Sequence, residues 1–157
     1  MSKLTTLIVF ILLFAFPAFS AEEKIDLSSG QTIYVAIYSH VFTGPKEIPF
    51  NLSAMLSIRN TDLNNPITIF SAEYFDDDGK SLKEYVPKPI SLAPLASHHF
   101  SIKENDETGG FGANFIVKWR ATHNVNSAII ESVMIGARSG QGISFVCQGK
   151  VIAENKK

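Results

Sequence analysis

The chain has a single cysteine, Cys147, among its 157 residues. An intramolecular disulfide is therefore excluded, and an apolar core must hold the fold. No cysteine stands near the end of the N-terminal apolar run, which excludes lipid attachment of the usual bacterial lipoprotein kind. Charge is scarce and balanced, with 14 Lys and Arg against 15 Asp and Glu and a formal net charge of −1. That balance offers no footprint for nucleic acid. Downstream of the N-terminal run, no ten-residue stretch keeps a 3.6-residue apolar period free of breakers, so helices are not expected.

What is present at the N-terminus is a targeting pattern. Lys3 supplies a positive start and Leu4 to Phe16 is an almost continuous apolar run of about 13 residues. Pro17 breaks it, and Ala18-Phe19-Ser20 places small residues before a cut between Ser20 and Ala21. The expectation is a cleavable signal peptide over 1–20 and an exported, periplasmic protein with no stable membrane insertion after cleavage. The alternative is an uncleaved N-terminal anchor holding the chain at the inner membrane; a spanning helix needs about 20 apolar residues, more than this run supplies unaided.

Beyond a short polar linker over 21–29, the pattern is one of period two. Ile33, Val35 and Ile37 share one face, with Tyr34 and Tyr38 on the other. Leu52, Ala54, Leu56 and Ile58 alternate with Ser53, Met55, Ser57 and Arg59. Ile67 to Phe75 reads as a strand with Phe70, Ala72 and Tyr74 on one face. An Asp78-Gly79 turn and a second extended run over 80–86 follow it. Further strands are expected at 99–102, 113–120, 129–136 and 143–147. The reading is an all-β, antiparallel, immunoglobulin-like β-sandwich of seven to nine strands, one domain over 30–153 with a polar tail over 154–157.

The candidate chemistries fall short one by one. Cys147 has no His or Met after it, as a blue-copper site requires. His98 and His99 are adjacent and would face opposite sides of a strand. Asp76-Asp77-Asp78-Gly79 lacks the spaced ligands of a calcium loop and reads as a charged turn. Gly109-Gly110-Phe111-Gly112 has no Lys-Ser or Lys-Thr behind it, and Ser139 lacks a nucleophile elbow. No catalytic residue, metal ligand or cofactor is assigned. What remains are residues suited to binding: Tyr34, Tyr38 and His40 on one parity, Asn114 at the edge of the glycine loop, and Arg59, Arg120 and Arg138 near strand ends.

The strings Ser29-Gly30-Gln31-Thr32-Ile33-Tyr34-Val35, Ser57-Ile58-Arg59-Asn60-Thr61-Asp62, Gly109 to Phe115, Trp119-Arg120 and Gln141-Gly142-Ile143-Ser144-Phe145 stand together in this chain. In them the chain resembles the bacterial exported family grouped as domain of unknown function 3124. The resemblance spans Ser29 to Ile152 and implies a bacterial source and an envelope location; it brings no activity, ligand or catalytic residue. The expected function is a non-catalytic binding or assembly module that engages an envelope protein or peptide, its oligomeric state open. The alternative is a metal-handling or hydrolytic periplasmic protein using His40, His98 or His123 with nearby carboxylates.

Overall fold

Alternation is cleanest across Ser53–Arg59, and in the computed structural model, which describes residues 26–138 and 140–154, that segment is an inner strand of its sheet. Ala54, Leu56 and Ile58 are fully buried, whereas Ser53, Met55 and Ser57 are only half-buried. The two-residue period of a pleated strand requires that split. The leader expected over 1–20, the cut between Ser20 and Ala21, Ser139 and residues 155–157 lie outside the described residues.

The described chain forms β1 (Leu27–Ala36), β2 (His40–Thr43), β3 (Ile48–Asn51), β4 (Ser53–Arg59), β5 (Ile67–Phe75) and β6 (Ser81–Glu84). There follow β7 (Ile90–Leu92), β8 (Ser97–Ile102), β9 (Asn114–Asn126), β10 (Ile129–Arg138), β11 (Gln141–Gln148) and β12 (Lys150–Glu154). One sheet runs β12-β1-β9-β5-β6, with β7 also paired to β5; the other runs β11-β10-β4-β8; β2 and β3 form a separate hairpin. Every pairing among them is antiparallel.

An all-β antiparallel fold was expected and is found, but the strands number 12 rather than seven to nine. The additions are short: β2 and β3 are broken by Gly44-Pro45 and Pro49, and β7 sits among prolines. Proline removes a ladder donor, so such segments read as loops in sequence. β1 already begins at Leu27, inside the segment read as linker, and β12 continues through Glu154, the first residue of the segment read as tail.

The inner rows of both sheets meet in one apolar cluster containing Trp119, Phe115, Leu56, Ile58, Val35 and Met134. Large aromatics dominate its centre, each removing roughly 150–250 Å² from water. In β5 the expected face is corrected. Ile67, Ile69, Ala72 and Tyr74 are buried, whereas Phe70 is not, because the register against β9 slips between Ile69 and Ser71. A bulge sets two residues against one and resets the alternation. Phe70 is released to the outer side, where the Arg120 guanidinium lies 4.9 Å from its ring centre.

β11 and β12 are one run that leaves the second sheet and joins the first at Gly149. A Cβ there would lie 2.6 Å from both the Ile130 carbonyl oxygen and Ile33 Cγ2. Only glycine lets the backbone pass so close. Two ends result. One, the polar end, gathers segments 60–66, 93–96 and 127–128; the other, the loop end, gathers 37–52, 76–80, 103–113 and the paired strand ends at Arg138 and Gln141.

At the polar end Asn60, 2% exposed, donates from Nδ2 to the carbonyls of Asn65 (2.9 Å), Leu92 (3.2 Å) and Ala93 (3.0 Å). Asp62 accepts from the amides of Asn64 (2.9 Å), Asn65 (2.8 Å) and Asn126 (3.1 Å). These amides favour the ionised form, led by Asn64, and hold the Asp62 pKa down at about 2. Buried polar groups here are matched to backbone partners, as burial demands.

Candidate functional site: an aromatic ribbon beside an acidic groove

After Ala36 the chain leaves β1 but keeps its alternation. The Ile37 amide donates to the Ala113 carbonyl at 3.0 Å, and the Ser39 amide and hydroxyl both donate to the Gly110 carbonyl, at 3.2 and 2.9 Å. Ile37 and Ser39 are buried by this docking onto the glycine loop. Tyr38 and His40, of opposite parity, therefore turn outward. The β2–β3 hairpin then sets His40 across from Asn51, Val41 from Phe50, Phe42 from Pro49 and Thr43 from Ile48. Phe50 is buried and fixes the hairpin to the core, and Phe42 is left 50% exposed.

The rings form a continuous ribbon. Phe145 and Tyr38 meet edge to face at 5.6 Å, as do Tyr38 and Phe111 at 5.1 Å and Phe42 and His40 at 5.1 Å, while Phe111 and Phe42 are tilted by 37° at 5.9 Å. These separations suit the electrostatics of aromatic pairs. Phe111 is 47% exposed, so the middle of the ribbon faces solvent.

Beside the ribbon lies a groove of about 460 Å³ whose lining includes Pro49, Asn51, Glu104, Glu107 and Arg138. Pro49 is the cross-strand neighbour of Phe42, so groove and ribbon adjoin. Asn51 Nδ2 donates to Glu107 Oε1 at 2.5 Å, which fixes the amide against one groove carboxylate. Two carboxylates and one guanidinium leave the groove acidic.

Underneath, Tyr74 stacks on Phe115 at 5.0 Å, and its hydroxyl lies so near Gly109 that a Cβ there would come within 1.8 Å. Burial pushes this phenol far above its ordinary pKa, helped by the negative charge of Asp106. Burial raises Tyr85 in the same way, again with Asp106 adding to it. Both phenols are thereby held protonated, which is the reverse of an activated nucleophile. Among the described residues, no three of His, Cys, Asp and Glu gather where they could hold a metal ion.

The candidates read from sequence are distributed unevenly. Tyr38 and His40 lie in the ribbon and Arg138 in the groove. Asn114 opens β9 between Ala36 and Phe75, at the same end. Tyr34 stands on the outer face of the first sheet, between Ile116 and Lys150. Arg59 lies toward the polar end, 3.5 Å from Glu131, and Arg120 is occupied with Phe70. His98, half-buried, and His99, exposed, sit on β8 against Ile58 and Ser57, away from His40. Sequence reasoning missed Phe42, Phe111 and Phe145. A phenylalanine set among three glycines, as Phe111 is, cannot easily be buried by its neighbours, and that signal was available.

Comparison with known proteins adds one family and one distant likeness. The family model described as "Protein of unknown function (DUF3124)" matches residues 30–152. Among curated proteins none matches. A solved structure titled "Crystal Structure of Thermotoga maritima 1070" aligns over 76% of this chain and 92% of that one, at 10% identity and a TM-score of 0.46. A likeness that remote carries no argument about function.

Proposed function

Since the chain belongs to the DUF3124 family, whose description names no activity, we propose from its own surface that it is a non-catalytic binding module of the cell envelope. Its ligand is an extended peptide segment of a partner protein, carrying apolar side chains with lysine or arginine among them. The observation that carries this reading is the ribbon: Phe42 and Phe111 stand about half exposed beside a groove bearing Glu104, Glu107 and Arg138. Exposed contiguous apolar surface is unfavourable for an isolated soluble domain and marks interaction sites. Aromatic rings serve as anchors in such sites, and a charged rim selects the partner.

Export follows from the apolar run at 4–16 and the small residues before Ala21. The non-catalytic part rests on the shifted groups. Tyr74 and Tyr85 are held protonated in the interior, and Asp62 is held ionised by amides that shape a loop. The Glu84 carboxylate, in spite of partial burial, is kept ionised by the amides of Ala72 and Val86 and the Ser71 hydroxyl. Each shift has a structural cause.

A random peptide library screened against the full chain tests the reading. The expected result is enrichment of peptides combining aromatic or aliphatic residues with Lys or Arg. Their affinity should fall about ten-fold or more for the F42S/F111S double variant, as removal of aromatic anchors does, and should weaken with added salt. Enriched peptides that bind the double variant as well as the wild type, or an acidic consensus, would overturn it.

A further inference from the structure

Four of the five outer strands of the two sheets carry the usual protection against further pairing; β7 is only three residues long and lies between Pro89 and Pro94. β6 is Ser-Leu-Lys-Glu, half of it charged. β12 opens with Lys150 and ends with Glu154, and its register against β1 slips between Thr32 and Ile33. β8 carries two histidines and is followed by Lys103. Charges, bulges and short length are the means by which sheet edges avoid joining other strands.

β11 has none of them. Residues 139–149, Ser-Gly-Gln-Gly-Ile-Ser-Phe-Val-Cys-Gln-Gly, contain no Lys, Arg, Asp, Glu or Pro. All eight β11 residues pair with β10 in unbroken register, from Gln141 opposite Arg138 to Gln148 opposite Glu131. As an end strand of its sheet, β11 turns half of its backbone N–H and C=O groups away from β10.

A second observation concerns its side chains. Ile143, Phe145 and Cys147 pack against the core yet remain only half-buried, whereas Ala54, Leu56, Ile58 and Met134 in the neighbouring strands are completely covered. On the outer face Val146 is 54% exposed and Ile135 46%. The strand that lacks edge protection is thus also the one whose apolar rows are left open.

We infer that β11 pairs antiparallel with β11 of a second copy of this chain, joining the two four-stranded sheets into one across a two-fold axis. The sequence of the edge favours a copy of itself over a foreign strand. A two-fold axis at Phe145 sets Phe145 against its equivalent, Ile143 against Cys147 of the second copy, and Ser144 against Val146. Each such pair shares a face, as antiparallel partners must, and no charge meets a like charge. A surface that mates with its own image is what a closed symmetric dimer requires. The ribbon is carried by both copies, so the assembly presents it twice.

Sedimentation velocity of the full chain over a concentration series tests this. Wild type should show a two-copy species that separates into single copies on dilution. Val146→Lys alters an exposed side chain, so folding is expected to persist, with an unchanged melting curve. It sets two lysines diagonally across the axis, within about 7–8 Å, and should raise the dissociation constant about ten-fold. Mixing V146K with V146E should restore the two-copy species. If V146K melts early, Ser144→Lys on the same edge replaces it. A single-copy mass at every concentration overturns the inference. So does a two-copy species indifferent to both lysine variants, because a different surface would then hold it together.

Discussion

At one end of the molecule polar side chains are buried in the loops, with Leu63 and Leu95 exposed singly beside them; at the other a connected row of aromatic rings meets the water. Asn60 and Asp62 disappear beneath the polar end, where their bonds bind the 60–66 loop to the β7–β8 turn and to β9. At the loop end Phe42, Ile48 and Phe111 are about half exposed to water while Ile37, Ser39 and Phe50 anchor the segments that carry them. The contrast separates two kinds of necessity. A buried amide matched to three carbonyls serves the fold, since leaving those groups unmatched is costly. An exposed ring ribbon adds nothing comparable to stability, and on that ground it is proposed as the surface that engages a partner.

The contrast can be broken most forcefully at Asn60. Asn60→Ala removes the two Nδ2 hydrogens shared among three carbonyls, of which the bond to Leu92 is buried and the other two part-buried, and should destabilise the protein by roughly 2 kcal/mol in urea unfolding. A loss below that of an ordinary surface substitution would show that the polar end is not what holds the loops. Gly109→Ala comes next, because the new methyl group collides with the Tyr74 hydroxyl. Overpacking of this kind should cost about 2 kcal/mol. It should also displace the loop bearing Phe111, so peptide binding and stability would fall together.

A pH titration sharpens the comparison further. The Asp62 pKa is depressed from 3.8 to about 2. Its contribution is therefore fully present above 3.8 and disappears as pH falls toward 2. Urea midpoints should drop through that window, and Asp62→Asn should flatten this part of the profile.

Smaller effects are expected where the surface is merely solvated. The F42S/F111S variant should unfold within about 0.5 kcal/mol of wild type per substitution, although its peptide binding is lost. Arg59→Ala should change stability least, by under about 0.5 kcal/mol, because its 3.5 Å pair with Glu131 is largely exposed on the arginine side.

The β4 strand was legible in the sequence because each residue alternates and no proline intervenes. The Asp78-Gly79 turn was legible too: β5 and β6 flank it, and the Lys80 amide donates to Asp76 Oδ1 at 2.7 Å. β2 and β3 were not, since four-residue strands around Gly44-Pro45 give alternation too few positions to register. The far part of β9 was hidden by Thr122, His123 and Asn124, three consecutive exposed polar residues that interrupt the alternation before Val125 returns to the core. The bulge at Phe70 could not be seen because it depends on pairing with β9, which is a long-range contact. Of the candidate site, Tyr38, His40 and Arg138 were reached through parity and position. Phe42, Phe111 and Phe145 join them only after three distant segments dock, and no local pattern records that meeting.

The chain enters the described fold at Leu27 and leaves it at Glu154. These points are neighbours: the Ser28 hydroxyl donates to the Glu154 carboxylate at 2.6 Å, and Gln31 pairs with Glu154 across the ladder. Both therefore open at the far end of β1 from the aromatic rings. Ten residues of extended strand span roughly 33 Å. A bead, tag or lipid surface tethered at either point would meet the polar end first, leaving the rings directed outward toward whatever approaches from the other side.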